Sequence, residues 1–166
     1  MRMVRELDAG DMLHTVTTPI GPEDTAASLH DRLARLGAKA LLEALDAMAS
    51  KTSVATPQDP NAVTYAPRIA KRDGDLDWTR SAEDLDRQIR GLYPWPGTRT
   101  QLEDRGVTLK IHPPVTPLKS AHSVTPGTLL EVSPEGVEVA CGADTALRLQ
   151  RLQAPGKKPL EVSAFL

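Results

Sequence analysis

Aromatic residues are almost missing. Phe, Trp and Tyr make up 3% of the 166 residues, so aliphatic side chains must pack any core. Cysteine occurs once, at Cys141, which excludes an internal disulfide and a thiolate-based zinc site, and a reducing compartment follows as the simple expectation. No run approaches the ~20 apolar residues of a membrane span. Met1-Arg2-Met3-Val4-Arg5 has no apolar stretch of the kind a secretion signal needs, so a cytoplasmic protein without a membrane partner is expected. A charge excess is missing too: 20 Lys and Arg stand against 22 Asp and Glu, a net charge of −2 that gives no bulk attraction to nucleic acid or to an anionic membrane. An anionic partner must be met by a local patch. His14, His30, His112 and His122 stand singly, without metal-ligand spacing, so no metal is expected.

What is present is a globular composition, 40% hydrophobic, cut into short pieces by 14 prolines. Near the start, Leu7-Asp8-Ala9-Gly10-Asp11 precedes the strand-like Met12-Leu13-His14-Thr15-Val16. A carboxylate on such a turn points out of a sheet and suits a general base or a residue that orients one. An Asx-type turn would produce the same pattern, and the pattern alone leaves both readings open.

After Pro19-Ile20-Gly21-Pro22, Asp24 or Thr25 is placed to cap a helix carrying Leu29, Leu33 and Leu36. Gly37 costs about 1 kcal/mol inside a helix relative to Ala, so it is expected to stop this helix, with a second from Ala38 to Ala49 through Leu41, Leu42, Leu45 and Met48. One strand and two amphipathic helices form the last edge of an α/β layer and cannot cover a sheet by themselves, so their leucine stripes are expected to face water. Residues 51–66 turn to small polar residues and proline and read as a linker after a first segment of 1–50.

Residues 67–166 read differently. Gly74 to Trp78 is expected as a short strand, and Ser81 with Asp84 three residues on starts a helix that buries Ala82, Leu85, Ile89 and Leu92. Alternating runs follow at Thr98 to Leu102, Val107 to Ile111, Thr128 to Val132, Val137 to Cys141 and Ala146 to Leu152, separated by turn signals. Five short strands and one helix suggest a small OB-like β-barrel. Tyr93-Pro94-Trp95-Pro96-Gly97 reads as a packing plug between helix and barrel, with Trp78 also in the core. The chain is expected to close with a strand end and a short helix running to Leu166.

Three segments combine into something more specific: Leu7-Asp8-Ala9-Gly10-Asp11, Val63-Thr64-Tyr65-Ala66-Pro67-Arg68-Ile69-Ala70-Lys71, and Ile89-Arg90-Gly91-Leu92-Tyr93-Pro94-Trp95-Pro96-Gly97. With Asp75-Leu76-Asp77-Trp78, Pro126-Gly127-Thr128, Val139-Ala140-Cys141-Gly142 and Leu152-Gln153-Ala154-Pro155-Gly156-Lys157-Lys158, in this order, the chain resembles the methionyl-tRNA formyltransferases. The resemblance implies that 1–50 is the remnant of a Rossmann-like catalytic domain and 67–166 an OB-like domain that helps to hold tRNA. It also implies the reaction: a formyl group passes from 10-formyltetrahydrofolate to the amino group of initiator methionyl-tRNA in translation initiation.

By the same resemblance Asp8 matches the catalytic Asp, expected to orient and charge-balance a His or to accept the amine's proton. The family's Asn and His lie in a stretch upstream of this Asp that has no counterpart here, as does most of the folate pocket. The 166 residues alone are therefore expected not to formylate. Arg68, Lys71, Arg72, Arg90, Lys157 and Lys158 are the candidate tRNA contacts, and a monomer is expected. Two alternatives stay open: another 10-formyltetrahydrofolate-dependent transferase or hydrolase, or a non-catalytic tRNA-binding module.

Overall fold

The alternating runs beyond Gly97 form one antiparallel sheet. Its strands are β1 (Thr98–Leu102), β2 (Val107–Lys119), β3 (Leu129–Ser133), β4 (Gly136–Cys141), β5 (Thr145–Gln153) and the short β6 (Leu160–Glu161). They pair in the order β1-β2-β5-β4-β3, with β6 also on β5. In the computed structural model, residues 1–164 are described, the side chain of Glu103 excepted, so the expectation for Phe165 and Leu166 lies outside the described residues. The final 3-10 turn is Val162–Ala164.

Two helices accompany the sheet, α1 (Ala26–Ala49) and α2 (Ala82–Gly91). By its contacts the chain divides into two units, Met1–Pro22 with Ser28–Arg68, and Glu23–Ala27 with Ile69–Leu166.

The core belongs to the second unit. Ala82, Leu85 and Ile89, spaced for one helix face, pack with Ile111, Val139, Cys141, Leu147 and Leu149 of the sheet, and Leu76, Trp78 and Leu152 close the margin. Ser81 caps α2 by accepting from the Asp84 backbone N–H, and Glu83 and Asp84 place negative charge at the positive end of the helix. The β4–β5 turn must hold Gly142: its N–H bonds the carbonyls of Trp78 and Arg80 at 2.9 Å, and a Cβ there would lie 1.8 Å from the Thr79 oxygen.

Several expectations are corrected. β2 does not stop at Ile111 but runs through Pro113-Pro114 to Lys119, with its register on β5 slipping between His112 and Val115, where the prolines have no N–H for the ladder. Gly74 to Trp78 is not a strand. Lys71–Gly74 is a 3-10 turn whose Asp73 carboxylate accepts from the Ala70 N–H, and Asp75 forms only a single bridge to Arg99. Trp95 is 59% exposed and is no plug; Tyr93 packs instead, its ring edge-on to His112 with centroids 6.1 Å apart.

In the first unit Met12–Val16 is not a strand. Met12 and Thr56 exchange both backbone hydrogen bonds, and among the described residues this bridge is not extended into a ladder. The two expected helices are one. α1 runs straight through Gly37, whose cost of about 1 kcal/mol is less than that of breaking a continuous hydrogen-bond ladder. None of its residues is buried, and Leu41, Leu42, Leu45 and Met48 are each more than half exposed, as expected of helices without a sheet to cover. Among the described residues, no helix is long and apolar enough to cross a membrane.

Candidate functional site

Asp8 sits in the turn ahead of Gly10 with φ of +55°, a left-handed conformation that Asp tolerates better than most residues. The amide of Gln58 ties this turn down from both sides, donating to the carbonyl of Asp8 at 2.8 Å and to that of Gly10 at 2.7 Å. Gly10 is buried, and a Cβ there would meet the Arg2 carbonyl at 1.8 Å. The backbone is thereby fixed while the Asp8 carboxylate stays exposed, with no hydrogen bond or ion pair among the described residues. A carboxylate presented in this way is free to accept a proton or to orient a base.

In the same unit, a groove of about 680 Å³ is lined by Met1, Met3, Ala40, Leu41 and Leu45, with His14 held by Glu43 at 2.9 Å. Among the described residues, no group of three His, Cys, Asp or Glu side chains is placed to hold a metal ion.

The six basic candidates lie on different elements of the chain. Arg68 belongs to the first unit, and Lys71 and Arg72 lie exposed on the 3-10 turn that opens the second. Arg90 is different: its guanidinium is largely buried, grips Asp86 through three hydrogen bonds of 2.9 to 3.1 Å and donates to the Asp24 carbonyl at 2.8 Å. The Asp86 carboxylate, with Glu23 and Asp24 nearby, holds its charge more firmly than usual. Lys157 and Lys158 lie exposed on the turn after β5.

The sheet adds cations that reading by segments missed. β1 and β2 set Arg99 opposite Lys110, and β2 and β5 set Lys110 opposite Gln153 and His112 opposite Arg151. Opposed residues share a face, and Ile111 and Leu152, opposite each other between these rows, point into the core, so the basic rows face outward. The available signal was the alternation within Val107 to Ile111, where Thr108 and Lys110 fall between Val107, Leu109 and Ile111.

Residues 68–166 match the family model described as "Formyl transferase, C-terminal domain". The chain belongs to the formyl transferase C-terminal domain family. Similar curated members of the formyl transferases include the methionyl-tRNA formyltransferase of Stutzerimonas stutzeri (strain A1501), 48% identical over 160 residues, which are 96% of this chain and 49% of that protein. That of Gluconobacter oxydans (strain 621H) is 46% identical over 167 residues, 100% of this chain and 51% of the relative. The chain thus spans about half the length of the curated relatives it matches. Among solved structures, HypX from Aquifex aeolicus in complex with tetrahydrofolic acid superposes with a TM-score of 0.66 at 19% identity, covering 98% of this chain and 28% of that one. This likeness speaks for the fold.

Proposed function

We propose that this chain is part of a methionyl-tRNA formyltransferase, acting in the transfer of a formyl group from 10-formyltetrahydrofolate to the amino group of initiator methionyl-tRNA. The observation that carries this reading is the 46–48% identity to two enzymes of that name, running along almost every residue of the chain. In this reading 1–50 is the closing piece of a Rossmann-like formyltransferase domain, 51–66 a linker, and 67–166 an OB-like domain that holds tRNA. The enzyme works in the cytoplasm as a monomer.

Formylation of an amine would join its nitrogen to the formyl carbon, release the nitrogen of the donor that carried the formyl group, and require that the attacking nitrogen lose a proton. Asp8 takes that proton or orients the imidazole that does. Recognition of a pterin edge needs paired donors and acceptors. The groove beside α1 does not fit one, because its polar side chains are Arg2, His14, Lys51 and Ser53 and none is a carboxylate or a carboxamide. Arg68, Lys71, Arg72, Lys157 and Lys158 supply phosphate contacts, while Arg90 is engaged by Asp86.

The test joins the first half of the Stutzerimonas stutzeri enzyme ahead of this chain and measures formylation of methionyl-tRNA, alongside tRNA binding by the chain alone. The joined protein is expected to be active and to lose at least about 10²-fold in rate with Asp8→Asn, whereas the chain alone binds tRNA and transfers nothing. An Asp8→Asn protein at full rate removes Asp8 from the chemistry. A chain with no affinity for tRNA at low salt overturns the tRNA-holding role.

A further inference from the structure

We propose that Gln58 is a positioning residue for Asp8: its carboxamide, reaching out of the 51–66 segment, holds the turn that carries Asp8 in the conformation that presents the carboxylate. The inference rests on the reading of Asp8 above and deepens it by naming the group that sets its aim.

The first observation is a strained backbone beneath a free side chain. Asp8 has φ of +55°, in the left-handed region that a residue with a Cβ enters at a cost, and such a conformation persists only where the surroundings impose it. The usual local support would be an Asx turn, in which the carboxylate accepts from a backbone N–H two residues on. The Asp8 carboxylate makes no such bond among the described residues, so the support must come from elsewhere.

The second observation is what supplies it. Gln58 Nε2 lies 2.8 Å from the Asp8 carbonyl and 2.7 Å from that of Gly10, across 50 and 48 positions of sequence. Both acceptors are carbonyl oxygens, which identifies the nitrogen: the flipped amide would set an oxygen against two oxygens. Both amide hydrogens are thereby spent on the turn, one on each side of Ala9.

The frame around this clamp is itself anchored. Thr56 exchanges backbone hydrogen bonds of 2.8 and 2.9 Å with Met12, just past the turn, and the Asp59 carboxylate accepts from the Asn61 N–H at 2.8 Å to cap the 3-10 turn Pro60–Ala62. Gln58 therefore reaches out from between two fixed points. From another part of the chain, the Arg2 N–H donates to the Asp11 carbonyl at 2.8 Å. The 51–66 segment is thus more than a tether, because its middle grips the turn that bears the acid.

A proton acceptor must lie within hydrogen-bond reach of the proton it takes, and a misplacement of about 1 Å can lower a rate by about 10²-fold. Gln58 is exposed, so replacing it tests the turn and not a core. The experiment uses Gln58→Met, which keeps the length and loses both donors, and Gln58→Glu, which sets a carboxylate against the two carbonyls. In the full chain, backbone chemical shifts and residual dipolar couplings are expected to show Asp8 leaving the left-handed region in both variants, with the core amides of the second unit unshifted. In the joined protein, kcat is expected to fall by about 10- to 10²-fold while KM for methionyl-tRNA stays the same. Gln58→Met is expected to add nothing to Asp8→Asn, because the group it aims is already gone. A merely structural role would multiply the two losses.

An Asp8 that keeps its left-handed φ in the Gln58→Met chain overturns the clamp, whatever the joined protein does. Full kcat in both Gln58 variants, or losses that multiply with Asp8→Asn, overturn the positioning role. If Asp8→Asn itself runs at full rate, the reading of Asp8 fails and takes this inference with it; a large loss in Asp8→Asn beside a silent Gln58→Met sinks the inference alone.

Discussion

The hydroxyl of Thr145 accepts a hydrogen bond from the backbone N–H of Ala82 at 2.9 Å, joining the first residue of α2 to the first of β5 across 63 positions of sequence. The same hydroxyl donates to the Gly142 carbonyl at 2.6 Å, so it closes the β4–β5 turn while satisfying one of the helix's otherwise open donors. Both partners are buried.

Thr145→Val keeps the shape and removes both bonds. The buried Ala82 N–H is left without an acceptor, so the second unit is expected to lose about 1–3 kcal/mol in urea unfolding. Thr145→Ser retains the oxygen and should recover most of that stability. A valine variant as stable as the parent would show that the bond contributes nothing net.

That junction also marks how far the sequence could be read. The cap at Ser81, the buried stripe of α2 and the five main strands follow from local signals, namely an i, i+3 pair, helical spacing and alternation. What could not be read depends on partners distant in sequence. Whether Met12–Val16 becomes a strand depends on neighbours it does not find, and whether Gly37 breaks a helix depends on a ladder that carries it. At the candidate site the resemblance marked Asp8 and the lysines of the turn after β5. It could not pair Lys110 with Arg99 or Gln153, because that needs the register of three strands.

The two helices should answer truncation in opposite ways. Leu85 is fully buried in the α2 face, and Leu85→Ala is expected to cost about 2–5 kcal/mol. Leu42, 64% exposed on α1, should change stability by no more than about 0.5 kcal/mol when made Ala. Chemical denaturation of both variants checks this, and a large loss at Leu42 would show that α1 is covered in solution.

Arg90 tests the difference between a charge and a fork. Its side chain is 17% exposed and bonds Asp86 and the Asp24 carbonyl at once, a planar arrangement that an ammonium cannot reproduce. Arg90→Lys is therefore expected to destabilise nearly as much as Arg90→Ala, by about 1.5–3 kcal/mol. Full stability in the lysine variant would reduce the interaction to simple charge pairing.

Asp77 gives a prediction in acid. The Thr79 hydroxyl at 2.7 Å and the Thr79 N–H at 3.0 Å both donate to its carboxylate and hold it below the usual value of 3.8. A lowered carboxylate pKa adds stability that is fully present above the unfolded value of 3.8, begins to fade below it and is lost as pH falls through the folded one. Thr79→Ala should move the Asp77 titration, followed by NMR, back toward 3.8. An unmoved titration would assign the shift to Arg80.

Cys141 gives one at the alkaline end. Burial among Ala82, Val139 and Leu147 disfavours the thiolate and pushes its pKa up to about 11 from an ordinary 9.0. Since the raised pKa belongs to the folded state, its contribution to stability is complete below about pH 9 and is lost as pH rises toward 11. At neutral pH the folded chain should therefore alkylate with iodoacetamide orders of magnitude more slowly than the urea-unfolded chain, with a rate that follows the unfolded population as urea is added. Cys141→Ala should abolish the labelling. Rapid alkylation of the native chain at pH 7 would mean that the β4–β5 junction opens without global unfolding, and would place the weakest point of the second unit beside Thr145.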